Sequence, residues 1–320
     1  MVNPRYLEKT ALIDPSDNPI RWTSKYGSIT FNKVGRDLPF GGINEEGLVV
    51  EQMRLDCTVY PSKDGRNAIS ACQWIQFQLD NYSSVEQVMS SDTLLRIVDA
   101  TSKFHFLVCD RFGTSVVVEF LEGKMVCHTS KDFPVQALAN NRYDESLNCY
   151  KNNGDTRSNL SLYNCCTSAR QIEHPDTSVD DSTIGYTLRV LNSVSQGVST
   201  KWSIACDITN MKIYFKCFET PTIIGKQKIV AKKASDAKIK ILDFKGIDFN
   251  CSDAANALDL DCPYENSLNE HLVNYSTSLN KEFIVKAFTF YKGSGVPVAL
   301  KDEEMEYLAK YPESFKCVPK

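Results

Sequence analysis

The stretch from Tyr26 to Leu55 constrains the fold most strongly, because it holds two β-type runs separated by a connector rich in glycine. In the first run, Ser28–Asn32, Ile29 and Phe31 alternate with polar residues, as a strand with one buried face requires. The second run, Gly47–Leu55, is longer and more apolar. The stretch therefore predicts two core strands that are close neighbours in the fold.

The connector between these runs carries Pro39 and glycines at positions 35, 41 and 42, so we expect a shaped loop there. Gly41, Gly42 and Gly47 would avoid side-chain clashes and let Ile43–Glu46 turn tightly. From the residue types alone, we interpret the stretch as part of the structural framework.

The rest of the chain mixes the two kinds of periodicity without an internal repeat or a convincing linker. One domain over residues 1–320, of α+β class, is therefore the interpretation. Strands are predicted at Phe104–Asp110, Ser115–Leu121, Met125–His128, Pro134–Asn140, Lys201–Asp207, Met211–Glu219 and Lys238–Phe244. Helices are predicted at Ala68–Leu79, Leu160–Ile172, Ile184–Val194, Leu268–Asn274, Lys281–Phe290 and Asp302–Lys310.

Composition excludes several classes of function. The net charge of −4 and the absence of a concentrated basic surface argue against a nucleic-acid partner. No run approaches the roughly 18 apolar residues of a membrane helix, so no membrane association is predicted. The four histidines, 105, 128, 174 and 271, stand alone in the sequence without metal-ligand spacing, and no phosphate-binding glycine motif occurs. We expect no cofactor and no metal.

Cysteine usage leaves the redox history open. Twelve cysteines are many for a reduced compartment, and Cys251 and Cys262 flank a loop that a disulfide could close. Reduced structural thiols fit the same count, and the localisation stays unknown.

Several spaced segments resemble, in the same order, the choloylglycine hydrolase and penicillin V acylase family of N-terminal-nucleophile hydrolases, which cleave linear amides. The segments are Trp22–Ser28, Gly41–Leu48, Gln73–Asn81, Ala137–Asn141 and Thr200–Ile204. The resemblance implies a four-layer αββα sandwich of two antiparallel sheets, a small-molecule acyl amide as substrate, and a possible homo-oligomer, since tetramers occur among relatives.

In this family the nucleophile is a cysteine at the mature N-terminus, and its own α-amine serves as the base. An α-amine titrates near neutral pH and can take the thiol proton without a histidine. This sequence begins at Met1, whose thioether cannot act in that way, so the single domain is expected to be truncated at its N-terminus relative to the family. Cys57 and Cys72 do not lie where the resemblance needs a nucleophile, and we expect both to be core thiols.

The later site positions can be carried over one by one. Asn140 matches the family asparagine that helps to bind the tetrahedral intermediate, with a purely structural role at a strand end as the alternative. Arg54 falls where relatives carry an asparagine or tyrosine on the oxyanion side, so the donor type has changed. Asn44 is a weak candidate for substrate binding and belongs to the shaped loop.

The family's late active-site arginine opens the helix that follows the polar loop. The match brings Leu162 to that position, or Ser161 or Tyr163 with a slip of one residue, and the nearest arginines are Arg157 and Arg170. Leucine cannot donate a hydrogen bond, so this departure counts against activity.

Two main hypotheses follow. In the first, the protein is a linear-amide hydrolase, and Met1 is an internal methionine of a longer chain that carries the opening strand. In the second, it is a non-catalytic relative that acts as a binding or structural module. A polypeptide of residues 1–320 is expected to be inactive in both, and takeover of catalysis by another thiol would require several coincidences.

Overall fold

The computed structural model describes residues 1–32, 34–98, 102–129, 133–176, 182–197, 200–217, 223–224, 227–228, 238–251, 256–257, 266–293 and 300–318. The chain forms two compact units. The first contains residues 1–132, 248–257 and 273–320, and the second contains residues 133–247 and 258–272. The interpretation of residues 1–320 as one domain stays a prediction.

Both units contain strands and helices. The strands are β1 (Val2–Asn3), β2 (Leu7–Thr10), β3 (Arg21–Thr23), β4 (Ser28–Asn32), β5 (Pro39–Asn44), β6 (Val49–Arg54), β7 (Asn67–Ile69), β8 (Leu95–Ile97), β9 (Phe104–Cys109), β10 (Ser115–Leu121), β11 (Lys124–Thr129), β12 (Trp202–Asp207), β13 (Lys212–Cys217), β14 (Ile223–Ile224), β15 (Gln227–Lys228), β16 (Lys240–Asp243), β17 (Asn256–Ala257), β18 (Asn266–Ser267), β19 (Val273–Asn274) and β20 (Lys316–Cys317). The helices are α1 (Ala71–Asn81), α2 (Val85–Ser90), α3 (Tyr143–Lys151), α4 (Leu160–Glu173), α5 (Thr183–Ser193), α6 (Thr277–Gly293) and α7 (Asp302–Lys310).

A seven-stranded antiparallel sheet forms the framework of the first unit, in the order β1-β4-β5-β6-β9-β10-β11. The strands predicted at Ser28–Asn32 and Gly47–Leu55 are confirmed as β4 and β6. The predicted connector is wrong in part, because β5 lies between them and pairs with both. At Gly42 a Cβ atom would lie 2.5 Å from the Ile29 carbonyl oxygen, so glycine here permits close strand approach within a strand.

One face of this sheet packs against α1, which confirms the predicted helix at Ala68–Leu79. Ser70 begins the helix by accepting a hydrogen bond from the Gln73 amide. Trp74 on α1 lies 4.4 Å from Phe106 on β9, measured between ring centroids, and both side chains are buried. A buried aromatic side chain withdraws about 150–250 Å² of its surface from water, so this contact contributes strongly to the core.

Helices and a four-stranded sheet, ordered β12-β13-β16-β18, make up most of the second unit. The strands predicted at Lys201–Asp207 and Met211–Glu219 are confirmed over their described residues as β12 and β13, which pair antiparallel. The strand predicted at Pro134–Asn140 is wrong, because this segment belongs to no strand of the described part of the chain and is held by side chains of α3 and α4. The helix predicted at Leu268–Asn274 is also wrong; only Asn269–His271 forms a 3₁₀ turn, followed by β19.

The cysteines correct two expectations. Cys251 forms a disulfide with Cys317, across 66 residues of sequence, so it does not form the bridge to Cys262 that the sequence left open; Cys262 lies outside the described residues. Cys57 is exposed and Cys72 is half-buried, so Cys57 is not the core thiol that we expected. Within the described ranges, no helix combines the length and the hydropathy needed to cross a bilayer.

Candidate functional site

Asn44, one of the predicted site residues, is a fully buried structural residue. Its amide nitrogen donates to the carbonyl oxygens of Leu79 (2.9 Å) and Tyr82 (2.7 Å) at the end of α1. Its side-chain oxygen accepts from the amides of Glu46 (3.1 Å) and Leu48 (3.0 Å) in the turn before β6. These four hydrogen bonds occupy both ends of the side-chain amide and fasten the turn to the helix.

Arg54 lies at the other end of the same strand pair. Its side chain is 72% exposed, and its Nε lies 2.6 Å from the Asp56 carboxylate. Five residues of strand separate it from Val49, next to the turn that Asn44 fastens, which corresponds to roughly 17 Å. The structure therefore does not bring Arg54 and Asn44 into one site.

Asn140 ends an irregular segment that the neighbouring helices hold in place. Tyr143 on α3 donates its hydroxyl to the Val135 carbonyl at 3.1 Å, and the Cys165 thiol on α4 donates to the Ala137 carbonyl at 3.7 Å. The Asn140 amide itself donates to Ser161 Oγ at 2.7 Å, and its side chain is exposed. An exposed amide group on a fixed backbone can donate a hydrogen bond to a developing oxyanion.

No arginine lies at the beginning of α4, where the resemblance implies one. Leu162 has its backbone amide in a hydrogen bond with the helix-capping Asn159. Arg157 pairs with Asp155 and its side chain is 90% exposed, while Arg170 lies over the Tyr150 ring three turns further along. Of the three possible matching positions, the one at Ser161 contacts the Asn140 backbone.

The N-terminal amine of Met1 is buried against β4. It donates to the Thr30 carbonyl oxygen at 2.6 Å, and burial together with the positive charge of Arg36 lowers the pKa of this amine to about 5. A neutral amine can accept a proton, but the methionine side chain beside it has no proton to give and no nucleophilic thiolate.

Sequence reasoning missed a half-buried carboxyl group on the sheet face opposite α1. Glu51 on β6 stands across from Gly41, where a Cβ atom would lie 1.9 Å from the Glu51 carboxylate. Burial raises the pKa of Glu51 to about 8, so this side chain is largely neutral at pH 7 and can donate a hydrogen bond. A charged residue inside the apolar run of the second strand was the only sequence signal.

Two of the histidines predicted to stand alone meet on the same face of the sheet. The Glu119 carboxylate bridges them, with its two oxygens 3.1 Å from His105 Nδ1 and 3.0 Å from His128 Nε2. His105 and Glu119 are fully buried, and the three residues occupy adjacent strands β9, β10 and β11. In the part of the chain that the structure describes, no group of histidine, cysteine, aspartate and glutamate residues has a metal-binding arrangement.

A second buried network holds the first unit together. Lys9 Nζ lies 2.6 Å from Asp37 and 2.9 Å from Asp80, and Asp80 also accepts hydrogen bonds from Trp22 and Gln76 at 2.8 Å each. Burial opposes the charge on Lys9, but the two carboxylates together outweigh it and raise the pKa of the ammonium group. The network joins β2, β3, the β4–β5 connector and α1, so its role is structural.

Comparison with solved structures identifies the fold. The structure of penicillin V acylase from Agrobacterium tumefaciens superposes with a TM-score of 0.67 at 23% identity, over 86% of this chain and 88% of that one. A variant of the conjugated bile acid hydrolase from Clostridium perfringens gives a TM-score of 0.55 at 18% identity, over 78% and 89%. The predicted fold class, α+β, is confirmed.

Sequence comparison then indicates a family. Residues 19–160 match the model of linear amide C–N hydrolases of the choloylglycine hydrolase family. Penicillin V acylase from Pectobacterium atrosepticum is 28% identical over 132 residues, which are 36% of this chain and 35% of that protein. The chain thus aligns with about a third of the length of this curated relative. Over these residues the chain is similar to the choloylglycine hydrolase family.

Proposed function

We propose that this protein binds a small linear acyl amide, and that residues 1–320 by themselves do not hydrolyse it. The match of residues 19–160 to a family of linear amide hydrolases supports the first part. The second part rests on the beginning of α4, where Leu162 occupies the position at which the resemblance implies an arginine.

Asn140 is the residue that we assign to the amide carbonyl. Its side chain is exposed, while the backbone beneath it is held by Ser161, Cys165 and Tyr143. Such a preorganised donor loses little freedom when it binds an oxygen, which is the condition for oxyanion stabilisation.

For the protein as a whole, the first candidate is a linear-amide hydrolase and the second is a non-catalytic binding or structural module. Two features favour the second candidate. Arg54 replaces the asparagine or tyrosine of relatives and pairs with Asp56, and α4 begins with Leu160, Ser161 and Leu162 instead of an arginine. The first change alters the type of donor that the resemblance implies on the oxyanion side, and the second removes a donor.

The first experiment measures turnover and binding with purified residues 1–320. Penicillin V and a glycine-conjugated bile acid serve as probes, because relatives of this chain are named for acting on them. We expect no turnover, together with binding detectable by calorimetry. Turnover that iodoacetamide abolishes would refute the proposed inactivity, and absence of binding to every acyl amide tried would refute the proposed ligand class.

The matched pair Asn140→Ala and Asn141→Ala tests the assignment of Asn140. Asn141 is the neighbouring asparagine, and its amide is engaged with Glu145 at 3.1 Å. We expect Asn140→Ala to weaken binding about tenfold, the effect of one hydrogen bond to a bound carbonyl, and Asn141→Ala to change it less than about twofold. Equal effects of the two substitutions would contradict the assignment.

N-terminal sequencing of the protein from its own source separates the two candidate functions. A mature N-terminal cysteine preceding the present Met1 supports the hydrolase. A natural N-terminus at Met1 supports the non-catalytic module.

A further inference from the structure

Three thiols meet where α3 and α4 pack together. Cys149 lies in the last turn of α3, and Cys165 and Cys166 are consecutive residues in α4. The Cys166 Sγ atom lies 3.9 Å from Cys149 Sγ, which is contact distance for two sulfur atoms. Cys166 is 1% exposed, whereas Cys149 keeps part of its surface in solvent.

The geometry selects one pair from the three thiols. Successive residues of an α-helix point about 100° apart, so Cys165 and Cys166 face different neighbours. The Cys165 thiol donates to the Ala137 carbonyl oxygen at 3.7 Å, so it already has a partner other than Cys149. Cys149 is confined on its other side by the loop after α3, where a Cβ atom at Gly154 would lie 3.0 Å from its Sγ.

We propose that Cys149 and Cys166 are a disulfide-forming pair that cross-links α3 to α4 when the protein meets a small-molecule disulfide. The Cys149 thiolate attacks one sulfur of that disulfide, and one small thiol leaves. The Cys166 thiolate then attacks Cys149 Sγ, and the second small thiol leaves. Two protein thiols are oxidised, one small disulfide is reduced to two thiols, and the two protein protons end on the leaving thiols.

The solvent exposure of the two thiols determines the order of these steps. Cys149 is partly exposed and can react with the reagent, whereas Cys166 is buried. Closing the bond requires the two sulfur atoms to approach from 3.9 Å to about 2.05 Å, a shift that side-chain rotation can supply. Burial raises the pKa of the Cys166 thiol to about 11, so the second step is the slow one at neutral pH.

A disulfide elsewhere in the chain supports an oxidising history. The first unit contains the Cys251–Cys317 bridge, and such bonds persist in oxidising compartments. An oxidising compartment also supplies the small-molecule disulfides that would oxidise Cys149 and Cys166. The cross-link is independent of the proposed amide ligand.

The experiment treats purified residues 1–320 with oxidised glutathione, alkylates the remaining thiols, and maps the non-reduced digest by mass spectrometry. We expect a peptide that joins Cys149 to Cys166 and that dithiothreitol separates. Cys149→Ser removes the cross-link and leaves Cys166 alkylated. Cys165→Ser, the neighbouring buried thiol, retains the cross-link and serves as the matched control.

The pH dependence gives a second readout. Conversion of the Cys149–glutathione adduct to the cross-link should accelerate roughly tenfold per pH unit between about pH 7 and pH 9, because the Cys166 thiolate fraction rises in that proportion. A glutathione adduct on Cys149 that never resolves at pH 9, or a cross-link from Cys149 to Cys165, would overturn the proposal. Hydrogen exchange of α3 and α4 before oxidation verifies that each variant is folded.

Discussion

Replacing Lys9 with methionine should destabilise the first unit severely. The side chains of Lys9, Asp37 and Asp80 are at most 1% exposed, so removal of the cation leaves two buried carboxylates without a counter-charge. Breaking a buried ion pair by removing one partner costs about 3–5 kcal/mol. Trp22 and Gln76 still donate hydrogen bonds to Asp80, which limits the loss, and we expect about 4 kcal/mol at pH 8.

The loss should depend on pH in a defined direction. Burial raises the pKa of Asp80 even with Lys9 present, and without Lys9 the folded-state pKa rises further. A carboxyl group whose pKa is higher in the folded state binds an extra proton there, so its stabilising effect is present at low pH and lost as pH rises. The destabilisation by Lys9→Met should therefore be smaller at pH 5 than at pH 8.

Urea denaturation followed by tryptophan emission measures this effect, since Trp22 contacts the network directly. Lys25→Met is the matched control, because Lys25 is exposed and its Nζ lies over the Tyr26 ring at 4.6 Å. We expect the control to lose less than about 1 kcal/mol. A Lys9→Met variant within about 1 kcal/mol of the parent at pH 8, or no smaller loss at pH 5, would refute the reasoning.

Three further substitutions probe the sheet, each followed by urea denaturation. The free energy of unfolding of Glu51→Gln should rise by about 3 kcal/mol relative to that of the parent between pH 5 and pH 9. The reason is that the parent loses stability as pH rises from the unfolded-state pKa of Glu51, near 4.5, through its folded-state pKa of about 8. Parallel pH profiles of the two proteins would contradict this. Gly41→Ala should lose about 1–3 kcal/mol, because its Cβ would lie 1.9 Å from the Glu51 carboxylate, and the added substitution Glu51→Ala should restore part of the loss. Asn44→Ala should lose about 3 kcal/mol by leaving buried backbone groups without their partners, and a loss below about 1 kcal/mol would show that water replaces the amide.

The local hydrophobic pattern was sufficient to predict a strand or helix wherever one face of that element is buried. The alternation in Ser28–Asn32 and the spacing of apolar residues in Ala68–Leu79 correctly predicted β4 and α1. The three strands β9 to β11 were predicted for the same reason. In each of these elements the hydrophobic period follows directly from burial against a single neighbour.

The failures occur where long-range packing overrides the local signal. The glycines of Pro39–Asn44 indicated a loop, but β4 and β6 on either side pair with this segment and make it a central strand. Residues 134–140 alternate like a strand, yet side chains from α3 and α4 satisfy the segment without a sheet partner. Leu268–Asn274 has helical spacing but spans the point in the chain where the second unit ends and the first resumes.

The candidate site divides in the same way. The motif containing Asn140 located an exposed amide, and the position of Leu162 indicated that an arginine is missing, from order along the chain alone. The contacts of a predicted residue decide whether its role is structural. Only the structure shows that the side chain of Asn44 makes hydrogen bonds to four backbone groups. The pairing of Arg54 with Asp56 was likewise not visible in the sequence pattern.

The sequence by itself therefore determined the resemblance to the amide hydrolases, the fold class and the approximate position of most strands and helices, because these depend on periodicity and on ordered motifs. Only the tertiary structure decided which distant residues meet: Lys9 with Asp37 and Asp80, Glu119 with two histidines, Cys149 with Cys166, and Cys251 with Cys317. Such contacts join residues that no local period relates, and their energies depend on burial that arises only when the chain has folded.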